Sequence, residues 1–170
     1  MTLTESLYHS RVIKHLTAYG NETRRKYISA HCGSNLPVLI SHPQANRRRT
    51  LPRPIQYEPD VYFIKRGKGK IVFEVLDSQL SKTSEIISDI IQCSISPDID
   101  YLIFIMPAIS KQRQNEIIDI YDIITDTLVN LGINQDWVPK PAVYPITRKE
   151  SLSFKKVKTI LATLSKQDGW

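Results

Sequence analysis

Apolar residues recur at the spacing of an α-helix in four parts of the chain. A first helix is predicted from Thr4 to Tyr19, with Gly20 at its C′ position. A second covers roughly residues 82–95 and is capped by Ser81, and a third runs from Ser110 to about Leu131, with Gly132 behind it. A fourth is predicted over 151–164. The stripes that support the first two helices are Leu7, Tyr8, Val12, Leu16 and Tyr19, and Ile86, Ile87, Ile90 and Ile91.

Strand patterns lie between these helices. Residues 60–65 and 70–76, joined by the turn 66–69, form the clearest hairpin. The uninterrupted apolar run 101–106 predicts a strand buried on both faces. Residues 27–32 and 37–41 are candidate short strands. Residues 137–144 are interpreted as a loop with room for one further short strand. The order α-β-β-α-β, followed by a further helix, predicts an α/β domain, on the border with α+β, whose mixed β-sheet is flanked by helices.

The length of 170 residues indicates a single domain over 1–170. We expect its core over about 4–131 and a C-terminal helical extension over about 140–170. No apolar run reaches the roughly 18–20 residues of a membrane span, and Glu5 stands where a signal peptide carries basic residues. Cys32 and Cys93 are expected as reduced thiols. We therefore expect a cytoplasmic protein that neither spans a membrane nor is exported.

Charge is unevenly distributed along the chain. Residues 21–56 carry seven basic residues against one acid, residues 140–166 repeat that ratio, and residues 85–126 carry eight acids against two basic residues. Separated sectors of this kind allow one face to meet a polyanion. Arginine forks suit phosphates, so the proline-flanked loop with Arg47, Arg48, Arg49 and Arg53 is a candidate nucleic-acid-binding segment, with DNA as the expected partner.

Two acids carry the candidate chemistry. Glu74 lies inside an apolar strand, where an unpaired carboxylate is costly, and Asp60 begins the preceding strand. A two-residue turn would put these acids on opposite faces of the hairpin. A three-residue turn, with Gly69 in a left-handed conformation, would pair 62 with 74 and 60 with 76 and put both acids on one face. Glycine at position 69 favours the second register, which predicts a divalent-metal site of Mg²⁺ type.

Pro59-Asp60, thirteen further residues, and then Glu74-Val75-Leu76 after an apolar strand resemble the signature of the PD-(D/E)XK nuclease superfamily. The resemblance implies a restriction-endonuclease-like fold over roughly residues 4–131. It also implies that Asp60 and Glu74 hold Mg²⁺ or Mn²⁺, that the Val75 carbonyl adds a ligand, and that Glu5 is an accessory acid.

The chain departs from this family at Leu76, which occupies the position of the family's lysine. Leucine can neither orient a water nor offset charge on a phosphate. Lys82 is the candidate replacement, and Gln79 could position a water without supplying charge.

These residues lead to two function hypotheses. In the first, the protein is a metal-dependent endodeoxyribonuclease that hydrolyses phosphodiester bonds, and cleavage of both strands requires a homodimer or a partner subunit. In the second, it is a non-catalytic nucleic-acid-binding or assembly module on a degenerate nuclease scaffold. A third alternative, a protein-interaction domain, would use the acidic sector 85–126.

Overall fold

The structure is a computed structural model that describes residues 7–22, 28–32, 36–37, 56–65, 69–77, 83–96, 98–107 and 110–168. Its four α-helices are α1 (Leu7–Glu22), α2 (Thr83–Ser94), α3 (Lys111–Asn130) and α4 (Lys155–Asp168). Short 3₁₀ helices cover Gln135–Trp137 and Glu150–Leu152. The strands are β1 (Ile28–Cys32), β2 (Leu36–Pro37), β3 (Gln56–Tyr57), β4 (Val61–Lys65), β5 (Lys70–Val75), β6 (Ile99–Met106) and β7 (Lys140–Pro145).

Five strands form one mixed sheet in the order β1-β4-β5-β6-β7. The pairs β1/β4 and β4/β5 are antiparallel, whereas β5/β6 and β6/β7 are parallel. Helix α2 connects β5 to β6 and helix α3 connects β6 to β7, as parallel neighbours require. The predicted mixed α/β architecture is confirmed, and so is the strand at 101–106, which lies inside the sheet and is almost wholly buried.

Alternate residues of each central strand face opposite helical layers, because successive side chains of a strand point to opposite faces. Val61, Phe63, Phe73 and Val75 pack with residues of α1 and α4. Tyr62, Val72, Leu76 and Phe104 pack with residues of α2 and α3. Each face of the sheet is therefore covered by two helices, and Glu74, which alternates with Phe73 and Val75, belongs to the face covered by α2 and α3.

The register of the hairpin differs from the predicted one. Val61 pairs with Phe73 and Tyr62 with Val72, so the predicted pairing of residue 62 with 74 is wrong by two positions. The shift preserves parity, and the same register continued by one step brings residue 60 opposite residue 74. Asp60 and Glu74 therefore meet, although by a different pairing from the one expected.

Gly69 does not adopt the left-handed conformation that was predicted for it. Among the described glycines, the one with a positive φ is Gly132. A Cβ on Gly69 would lie 2.7 Å from the carbonyl oxygen of Asp98 and 2.5 Å from Oδ1 of Asp100. The next residue, Lys70, donates its backbone N–H to the same Asp98 carbonyl at 2.7 Å. Glycine is thus required here by the close approach of β5 to the start of β6.

The ends of the chain also differ from expectation. Helix α1 continues to Glu22, so Gly20 is a buried helical residue and not the predicted C′ residue. The region 137–144, interpreted as a loop with room for a short strand, contains most of the six-residue strand β7, which ends at Pro145. Residues expected to form a C-terminal extension supply this strand to the main sheet, and α4 supplies core side chains, namely Val157, Ile160, Leu161 and Leu164.

Candidate functional site

Asp60 lies immediately before β4 and contacts two other elements. Its Oδ2 accepts a hydrogen bond from the backbone N–H of Val75 at 2.7 Å. Its Oδ1 lies 3.1 Å from Nε2 of His9, which comes from the first turn of α1. The two contacts hold the carboxylate at the junction of the hairpin and α1.

Glu74 lies in β5 with only 7% of its surface exposed. Its Oε1 accepts a hydrogen bond from the hydroxyl of Tyr57, and its Oε2 lies 3.5 Å from the backbone nitrogen of Asp60. The thiol of Cys93 donates to the Tyr57 hydroxyl at 3.6 Å. The buried acid is therefore fixed at both oxygens, as a polar group inside an apolar face requires.

A third acid, Asp89 of α2, adds its charge to this region. Burial, followed by the charges of Asp89 and Asp60, raises the pKa of Glu74, and the hydrogen bonds from Tyr57 and Asp60 only partly oppose this. Burial and the charges of Asp60 and Glu85 raise the pKa of Asp89 to about 7. The local electrostatics therefore favour neutralisation of these acids, either by protons or by a cation.

The capacity of this site for a metal follows from its oxygen atoms. In the part of the chain that the structure describes, no three His, Cys, Asp or Glu side chains are grouped as a metal site. Asp60 and Glu74 nevertheless offer four carboxylate oxygens, each with one polar contact among the described residues. Since a carboxylate oxygen has two lone pairs, each retains one for a further ligand. This donor set fits Mg²⁺, which takes few protein oxygens and keeps several waters.

Three polar residues at this site are absent from the sequence-based candidates: His9, Tyr57 and Asp89. His9 and Asp89 lie on helices, so their approach to Asp60 and Glu74 depends on how α1 and α2 pack on the sheet. The available signal was Glu85-x₃-Asp89, an acidic pair that flanks the apolar stripe of α2. Periodicity alone assigns such a pair to solvent, whereas Asp89 is half-buried.

The remaining predicted site residues divide into two groups. Val75 lies beside Asp60, and its backbone N–H already donates to that carboxylate. Leu76, where the resemblance to the nucleases expects a lysine, is 7% exposed and packs in the apolar cluster under α2 and α3. The other candidates lie outside the described residues: Glu5, Arg47, Arg48, Arg49, Arg53, Gln79 and Lys82.

No family model, curated protein or solved structure matches this chain. No helix within the described ranges is long and apolar enough to cross a membrane.

Proposed function

We propose that the protein is a metal-dependent nuclease that hydrolyses phosphodiester bonds of DNA, with Asp60 and Glu74 as the ligands of Mg²⁺ or Mn²⁺. The observation that carries this proposal is that these two acids, fourteen positions apart, lie at one end of the hairpin. There the Asp60 carboxylate accepts from the backbone N–H of Val75, and Oε2 of Glu74 lies 3.5 Å from the backbone nitrogen of Asp60. Their position at β4 and β5, in a mixed sheet whose strands β1, β4 and β5 follow α1 and precede α2 and β6, supports a restriction-endonuclease-like fold of the PD-(D/E)XK type.

The electrostatics of the site give the proposal its physical reason. Burial and the charges of neighbouring acids destabilise the ionised forms of Glu74 and Asp89, and a divalent cation would remove that penalty without protonation. When bound, such a cation activates a water and offsets negative charge on a phosphate.

The chain's own residues prepare the site. The backbone N–H groups of Asp60 and Val75 and the hydroxyl of Tyr57 orient the carboxylates. The ring of His9 holds Oδ1 of Asp60 from the side of α1. Such outer contacts fix ligand geometry, and their loss typically reduces metal affinity or activity about 10- to 100-fold.

Nicking of supercoiled plasmid tests the proposal with wild-type protein in Mg²⁺, in Mn²⁺ and in EDTA. Glu74→Gln preserves size and one acceptor oxygen but removes the charge that holds the cation. We expect it to reduce nicking about 100-fold or more, the size of effect seen when a single electrostatic group is removed from an active site.

Asp119→Asn is the matched control, because Asp119 is an exposed acid of α3 and its change removes the same charge. The control is expected to nick at the wild-type rate. Absence of metal-dependent nicking by wild type, or equal nicking by Glu74→Gln, contradicts the catalytic proposal.

A second candidate function is a non-catalytic nucleic-acid-binding or assembly module. The burial of Leu76 favours it, because the position at which the resemblance to PD-(D/E)XK nucleases expects a lysine belongs here to the apolar core. This alternative predicts DNA binding that weakens with salt and is the same in Mg²⁺ and in EDTA, without nicking in either.

A further inference from the structure

Helix α4 carries three lysines on one side of its outer surface. Lys155, Lys158 and Lys166 are all exposed. Because an α-helix turns about 100° per residue, these positions fall within about 80° of arc and form one stripe along the helix. Ala162 lies inside this arc and Thr159 lies beside it, so small side chains separate the lysines. These three lysines are the α4 lysine row.

The charge of the α4 lysine row is not compensated by acids. The sequence from 155 to 166 contains neither Asp nor Glu. Glu150 precedes the helix, and its Oε1 lies 3.6 Å from Nζ of Lys156, which points about 100° away from Lys155 around the helix. Within the described ranges, the three side chains of the row form no ion pair. The row therefore presents its full positive charge to solvent.

The helix dipole does not account for the whole row. Lys166 lies in the last turn of α4, where a cation stabilises a helix. Lys155 is the first residue of the same helix, and the first turn carries no acid. Since the N-terminal end of a helix dipole is positive, a cation at this position reduces helix stability. A role in binding gives Lys155 a reason that helix stability does not.

The surroundings of the row argue against a membrane or a protein as its partner. The apolar side of α4 is buried in the core and is therefore not free to enter a bilayer, as an interfacial helix requires. That side consists of Val157, Ile160, Leu161 and Leu164. The arc of the row holds no aromatic or large apolar side chain, the kind of anchor on which protein interfaces depend.

The chemistry and length of the row fit a phosphate backbone. Lysine ammonium groups are mobile point charges, and such groups make contacts with phosphates that do not depend on base sequence. At the rise of an α-helix, the row spans roughly 16 Å from Lys155 to Lys166. This length equals the axial rise of about five nucleotides of one DNA strand.

We propose that the α4 lysine row binds the phosphate backbone of double-stranded DNA without reading its sequence. Helix α4 covers the face of the sheet opposite to the one to which Glu74 points. The row is therefore a docking surface outside the Asp60–Glu74 site, and it holds the DNA rather than the phosphate to be cleaved. The choice of DNA as the polyanion rests on the proposed function, whereas the test is a binding measurement that needs no cleavage.

The test measures fluorescence anisotropy of a labelled DNA duplex in EDTA, over a series of salt concentrations. The triple variant Lys155→Ala/Lys158→Ala/Lys166→Ala removes three phosphate contacts. Its affinity should fall at least about 10-fold, and the slope of log affinity against log salt should become shallower by about three units. The corresponding triple Lys→Arg variant keeps the three charges and should retain the wild-type slope.

Lys155→Ala and Lys111→Ala form a matched pair of single variants. Each removes an exposed lysine from the first residue of a helix, but Lys111 belongs to α3, in the other helical layer. The first variant should lower the salt slope by about one unit, and the second should bind DNA like wild type. Equal slopes for the two variants contradict the placement of the DNA on α4.

Wild-type affinity in the triple alanine variant, folded by circular dichroism, overturns the proposal, and so does wild-type protein that does not bind DNA. Binding to vesicles that contain phosphatidylserine, lost in the triple alanine variant while DNA binding is kept, would assign the row to a membrane and also overturn it. Metal-dependent nicking by wild type with unchanged DNA affinity in the triple alanine variant would retain the nuclease function alone. DNA affinity that depends on the row, without nicking, would support the docking surface and contradict the nuclease function.

Discussion

At the scale of single residues, the central feature is a buried carboxylate, that of Glu74, whose two oxygens each have a polar partner. Glu74 is held by Tyr57 on one oxygen and by the Asp60 backbone on the other. These bonds lower its pKa, but burial and the neighbouring acids outweigh them. The negative charge of the site is therefore compensated in one of two ways, either by protonation of the acids or by a bound cation.

Asp89 gives this balance a measurable dependence on pH. Its pKa is about 7 in the folded protein, against about 3.9 for an unfolded chain. Since the folded-state value is raised, the stability contributed by the protonated form is complete below about pH 4 and is lost as the pH rises toward 7. Asp89→Asn cannot ionise. Its free energy of unfolding, relative to wild type, should therefore increase between pH 4 and pH 8 in urea titrations without divalent metal.

Asp122→Asn, which changes an exposed acid of α3, provides the comparison for that titration. Its stability relative to wild type should change little over the same range. If the free energy of unfolding of Asp89→Asn follows that of wild type between pH 4 and pH 8 as closely as that of Asp122→Asn does, the pKa of Asp89 is not raised.

At the scale of elements, sequence patterns predict long and strongly periodic segments well. The helix predicted over 82–95 is Thr83–Ser94, and the one predicted from Ser110 begins at Lys111, with the Ser110 side chain accepting from Arg113 N–H. Strand β7 was predicted only as a short strand for which the loop 137–144 has room, because Pro141 and Pro145 weaken its strand signal and its residues are largely half-buried. Proline is tolerated in such a strand at the edge of a sheet.

The candidate site was predictable only in part, because sequence patterns fix neither the register of a hairpin nor the approach of distant elements. Asp60 and Glu74 belong to the two neighbouring segments of the hairpin. Because side chains alternate between the faces of a sheet, the two acids point either to the same face or to opposite faces, depending on the register. The chosen register was wrong because Gly69 was interpreted as a turn residue, while its role is to avoid the backbone of Asp98. His9 reaches the site from helix α1, and no local pattern encodes that approach.

Substitution of Gly69 tests this explanation of the hairpin. A Cβ at position 69 meets a backbone carbonyl at 2.7 Å as well as the side chain of Asp100. Gly69→Ala should therefore cost about 1–3 kcal/mol of stability, as overpacking typically does. The double variant Gly69→Ala/Asp100→Ala relieves the side-chain clash alone, so most of the loss should remain in urea denaturation. Full recovery by the double variant would show that the Asp98 carbonyl does not constrain this position.

At the scale of the whole molecule, the acidic row of α3 and the lysines of α4 lie on opposite sides of the sheet. The acidic row of α3, Asp119, Asp122 and Asp126, is exposed on one side. The lysines of α4, including Lys155 and Lys158, are exposed on the other. Because α1 and α4 share a core cluster, the positive layer lies on the same side as Tyr8. A polyanion would therefore be attracted to the side of the sheet that α1 and α4 cover.

The contribution of the C-terminal region to the core leads to the last prediction. Leu161 of α4 is 5% exposed and packs in the cluster that α1 and the central strands share. If residues 140–168 were an extension of an independent core, truncating this side chain would affect only the attachment of α4. Since Leu161 lies in the main cluster, Leu161→Ala should instead destabilise the whole cooperative unit by about 2–5 kcal/mol.

Leu152→Ala is the matched control, because the same change is made in the same region at a side chain that is 62% exposed. It should cost less than about 0.5 kcal/mol. Urea unfolding followed by both circular dichroism and tryptophan fluorescence distinguishes the two arrangements, since Trp137 precedes β7. Coincident transitions, both displaced by Leu161→Ala, indicate a single unit. An early transition in fluorescence alone would assign the C-terminal region to a separate unit and leave the sheet with β6 as its stable edge.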